Sequence, residues 1–497
     1  MKELFQLAKL NESNRRVIEL MTPSGMNSSI GRLLSIAFAG KSMSDKQAMV
    51  AIYNSKKLSS FSRLKTKCKN ILIKAIILQD INSEGQYSRV NEILNHYRHT
   101  MASLFLASNR LNSLAILIAE RTLTKAIKYG STENIIILSK MLINYYGSSV
   151  LDKNKFKKYL TIQQKYLRIQ YWEIRSENFY NELQNYQLYS FATPNSVKRD
   201  QVKIFIAELE KVNDIQTFRF IVNCYKIKTA YYEYIKEYNL LLELCELTIH
   251  KLNPKDLHSK SFDHNINIRK AWALIQAGRN DEAILLATKD MKNLPSGSLG
   301  WYFIAHYKLK AFLYKGDYGN GVKLIKLMVE EPGFSKLGGN HKELFGATLG
   351  YIHLIVNAGL AGDPAKMLKI LPDFKIGKFL NTIPVFGKDK QGINVSILLM
   401  HIGFLLQRKN YDAIIDRIDS LKQYAYKYLR KDDTFRSNCM IKMVAQMTKA
   451  DFNPIRTERY TSDIYKQLEQ VKLAGSGENI ETEIIPYEVL WSIMLKA

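Results

Sequence analysis

Residues 269–295, RKAWALIQAGRNDEAILLATKDMKNLP, carry two apolar faces at helical spacing, joined through a glycine and closed by a proline. The reason is steric. Ala271 and Ala283 are small enough for two helices to approach closely, Gly278 can take the left-handed conformation that ends the first helix, and Pro295 stops the second. With Leu274 on the first helix, this spacing is the pattern of a tetratricopeptide unit. A chain that repeats such a unit stacks helical hairpins, because a single hairpin cannot bury its own apolar face.

The unit does repeat. HYKLKAFLYKGDYGNGVKLIKLMVEEPG follows, with Gly316 at the turn, Tyr318 behind it and Gly321 in the small position. The two turn glycines are 38 residues apart. Two weaker units, YIHLIVNAGLAGDPAKMLKIL and ILLMHIGFLLQRKNYDAIIDRIDSL, offer Ala365 and Ala413 as their small residues. A chain of 497 residues is too long for one compact core, and 10 prolines with 25 glycines are few for an all-β fold. The expectation is an all-α fold: a right-handed α-solenoid of tetratricopeptide-like hairpins with helical caps at both ends.

Four regions are expected along it. Residues 1–80 read as a basic helical cap. Ser44 and Gln47 form a capping box that opens one helix, and the next places Phe61, Leu64, Cys68, Ile71, Ala75 and Leu78 on one stripe. Arg63, Lys65, Lys67, Lys69 and Lys74 flank that stripe, and no acid occurs between Asp45 and Asp80. Residues 81–264 read as an irregular hairpin array broken at Gly130, Gly147, Pro194 and Pro254. Residues 265–420 hold the repeats. Residues 421–497 read as a basic segment, a Gly475–Ser476–Gly477 loop, an extended piece, and a last helix with Pro486 in its first turn and Leu490 and Trp491 docking it as a cap.

The opening MKELFQLAKLNESNRRVIELM, the helix from Phe61 to Leu78, and YDAIIDRIDSLKQYAYKYLRKDDTFRSNCMIKMV with IIPYEVLW resemble a family of uncharacterised tetratricopeptide-containing proteins of the Bacteroidota. The resemblance implies a helical solenoid in a bacterial cytoplasm. It implies no activity and transfers no functional residue.

Signs of catalysis are sparse. The nearest phosphate-loop candidate, Gly316 to Gly321, has its lysine displaced by one position and lies between helices. Gly297–Ser298–Leu299–Gly300 lacks the strand-to-helix setting of a nucleophile. His96 with His99, and Cys245 with His250, could supply half a metal site each, but no second pair completes either. Asp432–Asp433 and Glu330–Glu331 read as solvated ends of helices. No enzyme activity, cofactor or metal is expected. Cys68, Cys224, Cys245 and Cys439 are too scattered for a disulfide framework and read as small buried hydrophobes.

Charge points to partners. With 72 Lys and Arg against 46 Asp and Glu the net charge is +26, which favours polyanions such as nucleic acid or ribosomes. Two basic faces, at residues 56–74 and 422–459, would carry that interaction through the lysines and arginine of the first, with Lys427, Arg430, Lys431 and Arg436 of the second. Tyr424, Tyr426 and Tyr428 could stack bases there, or fill gaps between helices. The repeat pattern itself points to a protein or peptide partner held in a concave groove. The reading adopted is a non-catalytic protein-interaction scaffold, with nucleic-acid or ribosome binding as the alternative. No secretory signal and no apolar run of about 18 residues occurs, so cytoplasmic residence without membrane insertion is expected.

Overall fold

The computed structural model describes residues 1–23, 25–40, 43–53, 58–78, 88–189, 195–252, 260–382, 393–428, 435–473 and 480–497. Among these the chain is all-helical, with no β-strand. No described helix is long and apolar enough to cross a membrane. Two compact units are formed, Met1–Tyr166 and Leu167–Ala497. The breaks expected at Pro194 and Pro254, the Gly475–Gly477 loop and Asp432–Asp433 lie outside the described residues.

The first unit opens with α1 (Lys2–Leu10), α2 (Arg15–Met21), α3 (Ser29–Phe38), α4 (Asp45–Tyr53) and α5 (Leu58–Ile77) around one small core. The capping box at α4 forms. Gln47 N donates to Ser44 Oγ at 3.3 Å, and Ser44 N donates to Gln47 Oε1 at 2.8 Å. On α5 the buried stripe is Phe61, Leu64, Cys68, Leu72 and Ala75. Leu72 takes the place expected of Ile71, which is half-buried at the margin, while Leu78, beyond it at 100° per residue, is exposed. Asn11 and Asn14 pin the core by donating to the carbonyls of Leu72 and Ala75.

Next come α6 (Ser88–Ser108), α7 (Asn112–Tyr129), α8 (Thr132–Asn144) and α9 (Lys153–Tyr189). Gly147 sits in a wide π-type turn, Tyr145–Ser149, that ends α8. At its foot Glu120 accepts hydrogen bonds from Tyr146, Tyr159 and Lys155 at 2.7–3.2 Å.

The second unit continues from α9 with α10 (Asn195–Glu210), α11 (Phe218–Tyr234), α12 (Tyr238–Leu252), α13 (Lys260–Gln276), α14 (Asn280–Lys292), α15 (Leu299–Lys315) and α16 (Tyr318–Glu330). It closes with α17 (Gly339–Asn357), α18 (Pro364–Ile370), α19 (Ile376–Thr382), α20 (Ile393–Gln407), α21 (Tyr411–Tyr428), α22 (Phe435–Lys449), α23 (Pro454–Gln470) and α24 (Tyr487–Lys496). Most neighbours in sequence pack on one another, and α13 also meets α15 as α17 meets α20.

One turn geometry joins these hairpins. At Gly278 and Gly316 the backbone is left-handed, with φ of 76° and 82°. The amide just past each glycine reaches back five residues to the carbonyl that closes a Schellman motif: Arg279 N to Leu274 O at 2.8 Å, Asp317 N to Phe312 O at 2.9 Å. The same bond recurs at Arg110, Lys236, Gly359, Lys409 and Asp451, all with positive φ. The hairpin pattern therefore extends on both sides of the glycine-marked units, into α6–α7, α11–α12 and α22–α23.

The repeat residues occupy the seams. Ala271 and Ala283 are fully buried, and α14 ends at Lys292, three residues before Pro295. A methyl group at Gly321 would make ordinary contact with Leu309 and Leu313, so α16 lies close on α15 there. Tyr318 and Ala413 pack at the margin of the main core. Ala365 does not serve as expected: it is exposed on α18, a helix of seven residues. Too short to form a full hairpin arm, α18 needs no small residue at a seam.

Helix α15 is buried on nearly every side, and the polar groups it carries inward, His306 and Lys310 among them, are met by other parts of the unit. Leu490 and Trp491 of α24 dock into the same core, each burying apolar area that stabilises by roughly 1.5–3 kcal/mol. Pro486 is the residue before α24 rather than inside its first turn. Residues 480–485 are a series of turns and bends, not an extended strand.

Candidate functional site

A groove of about 420 Å³ lies between the end of α9, α11 and α13. Thr217 starts α11 by accepting from Phe220 N at 3.4 Å, and the helical period then turns Val222, Tyr225, Lys226, Thr229 and Glu233 toward the groove. Phe262 and Arg269 come from α13, and Tyr180 and Gln184 from α9.

Three of the eleven lining residues are aromatic and six are polar or charged. Lys226 Nζ stands 4.8 Å above the Tyr180 ring, and Phe262 meets Tyr225 edge-on at 5.9 Å. Arg269 pairs with Glu233 at 2.7 Å and lies over Trp272 at 5.6 Å. Burial pushes the Glu233 carboxyl up, and Arg269 opposes that shift. Aromatic side chains and a partly desolvated arginine around a cleft are the composition of binding hot spots. A wider depression of about 710 Å³ lies along α12–α14. Its ion pairs, Arg279–Glu282 and Lys270–Glu246, include carboxylates that face solvent, where such pairs contribute little.

Further along the unit, the segment Ile480–Ile485 is seated against α15, α20 and α22. Lys310 Nζ donates to Ile480 O at 2.5 Å, Tyr314 OH to Glu483 O at 2.5 Å, and Ser396 Oγ to Thr482 O. Glu481 lies 3.3 Å from His306 Nε2. Burial would raise the Glu481 carboxyl, but His306 and Lys310 outweigh it and bring it down to about 2. Burial lowers the Lys310 ammonium to about 8. The segment thus presents backbone carbonyls and carboxylates to donors on the helices, and fills the space they enclose.

The expected polyanion stripe is reduced by the fold. Arg63, Lys67 and Lys74 are exposed on α5 and make no ion pair among the described residues. Lys65 is paired with Asp45, and Lys69 with Glu3. Arg430 and Lys431, with the side chain of Lys427 and those of the nearby tyrosines, lie outside the described residues. Arg436 is a correction. It is buried, because α22 turns it inward onto Glu483, Glu488 and the carbonyls of Leu468 and Val471. A guanidinium spending its donors there has none for a phosphate.

The other candidates resolve locally. Asp317 caps α16 through Asn320 N, and Ser298 caps α15 through Trp301 N, so both glycine runs are helix starts. Burial raises the Cys68 and Cys224 thiols to about 12 and Cys245 to about 11, far from thiolate character. His96 is buried beside Tyr129, whereas His99, one turn along the same side of α6, is exposed to solvent. Among the described residues no three His, Cys, Asp or Glu side chains gather to hold a metal ion. A buried His264–Asp290 pair at 2.5 Å, supported by Asn267, packs against Gly300. The groove residues and Lys310 were missed by sequence reasoning. Helix α11 holds several tyrosines, Tyr225 among them, but no local signal shows which of them face a groove.

Compared with protein-family models, curated proteins and solved structures, the chain matches none.

Proposed function

We propose that the chain is an α-solenoid of tetratricopeptide-like hairpins, similar to the family it resembles, and that it acts as a non-catalytic scaffold. The groove between α9, α11 and α13 takes a peptide segment of a protein partner. The observation that carries this reading is the groove's lining: Tyr180, Tyr225 and Phe262 around the Arg269–Glu233 pair. Aromatic anchors and a held arginine give a peptide both apolar contact and directed hydrogen bonds. The way Ile480–Ile485 is held supports it too, since helices of the same unit already bind non-helical chain through side chains.

The test is selection of peptides from a random displayed library on the full chain, followed by calorimetry of the winners. Tyr180→Ala and Lys226→Glu should each weaken binding about tenfold or more, whereas Leu285→Glu, in the wider depression, should not. Winners indifferent to both groove substitutions would refute the reading.

The alternative, a nucleic-acid or ribosome binder, has Arg63, Lys67 and Lys74 of α5 in its favour. It is the weaker reading because Arg436 is occupied inside the protein and Lys65 and Lys69 are neutralised by acids.

A further inference from the structure

Helix α6 is polar where it is buried and apolar where it is exposed. His96, Thr100 and Ser103 are buried, and the ring nitrogens of His96 and the hydroxyl of Thr100 have no hydrogen-bond partner among the described residues. Val90, Leu94, Tyr97, Met101, Leu104 and Phe105 are all exposed, Met101 and Phe105 by 57% and 70%. At 100° per residue these six fall within one arc of about 100°, and the first five are spaced 4, 3, 4, 3, the seam of a coiled coil. Exposed leucines scattered singly need no explanation, but a continuous stripe does.

We infer that this stripe is an interface with a second copy of the chain, in which two α6 helices pair antiparallel. The seam is complementary to itself in that direction. Pairing about residue 99 sets Leu94 against Leu104 of the other copy and Tyr97 against Met101, with Val90 meeting the small Ser108 and Phe105 flanking the seam. The central pair joins a thioether to an aromatic ring, a favourable contact. No seam position carries a charge, so neither copy must bury one, and two-fold symmetry repeats each contact. The six side chains expose on the order of 600 Å² per copy, so complete burial of both stripes would remove at most about 1,200 Å², the lower edge of a stable interface.

Sedimentation of the full chain over a wide concentration series should show a reversible dimer. Met101→Glu should raise its dissociation constant ~30-fold or more while helical signal and melting temperature hold, Met101 being exposed in the single chain. Leu94→Cys with Leu104→Cys should link two copies on oxidation. Within one helix those positions are roughly 15 Å apart and cannot bridge. Leu94→Cys alone should not link in the antiparallel register. A wild-type chain that stays monomeric throughout, or a dimer indifferent to Met101→Glu, would overturn the inference, as would efficient linking by Leu94→Cys alone.

Discussion

The guanidinium of Arg436 and the carboxylate of Glu483 form a two-pronged pair, Nε to Oε2 at 2.8 Å and Nη2 to Oε1 at 2.7 Å, with almost no exposure of either side chain. Burial works against the charge on Arg436, yet Glu483 and Glu488 hold it more firmly protonated than an ordinary arginine. Glu483 also accepts from Tyr487 N at 2.9 Å, which ties the start of α24 to the same centre.

Removing one partner leaves the other charge buried alone. Arg436→Ala should destabilise the second unit by roughly 3–5 kcal/mol, and Arg436→Lys, which lacks the fork, by a substantial part of that. Replacing Arg436 and Glu483 together by methionine should cost much less than Arg436→Ala. Urea unfolding of the three variants against the parent makes the comparison.

Acid should loosen the seated segment. The folded-state pKa of Glu481 is depressed to about 2 from an ordinary 4.5, so between those values the unfolded chain binds more protons. The stability this group contributes is present above about pH 4.5 and is lost as pH falls toward 2. Glu481→Gln should unfold at a lower urea midpoint near neutrality and show a shallower loss on acidification.

Lys310 has the opposite sense. Its folded-state pKa is lowered from 10.5 to about 8, so the protonated form is penalised in the folded protein. Between about pH 8 and 10.5 the unfolded state holds the extra proton, and stability rises with pH across that window. Lys310→Met should lack that rise. Identical alkaline profiles for the two proteins would place the ammonium in water.

The hairpin turns give a cleaner backbone test. A methyl group at Gly278 would meet nothing within 4 Å, so Gly278→Ala tests conformation alone and should cost about 1 kcal/mol. Lys409 already stands at φ 55°, so Lys409→Gly should be neutral to stabilising by up to about 1 kcal/mol. Thermal denaturation of both variants measures the pair.

If the charge of the chain is generic, fluorescence anisotropy with labelled single-stranded RNA, duplex RNA and duplex DNA should show weak binding that vanishes at modest salt. Submicromolar binding near physiological salt, reduced by replacing Arg63, Lys67 and Lys74 with glutamine, would favour the polyanion reading.

The turns show how far local signals reach. Gly278 and Gly316 announced their hairpins because glycine is the residue that enters the left-handed region without strain. Arg110, Lys236, Lys409 and Asp451 make the same turn with residues that announce nothing, so the hairpins around Arg110 and Lys236 read as an irregular array, the one at Lys409 as a weaker repeat and the one at Asp451 as part of a basic segment. Their packed helices carry the strain. The stripe on α5 was legible to within one residue, since Leu72 and Ile71 are equally apolar and the packing of α5 against α1 and α3 leaves Ile71 half-buried at its margin.

The sequence by itself determined the helices, the glycine turns and the capping box at Ser44, because hydrophobic period, left-handed glycine and caps act within a few residues. Tertiary structure alone decided which charges face water. Arg436 looked like any surface base until Glu483, 47 residues on, was brought against it, and Lys310 meets the carbonyl of Ile480 from 170 residues away. It also decided that Tyr180, Tyr225 and Arg269 share one groove while residues 480–485 fill another space in the same unit. Such pairings depend on how helices distant in sequence stack, and that follows from the summed packing of many side chains, no one of which states it.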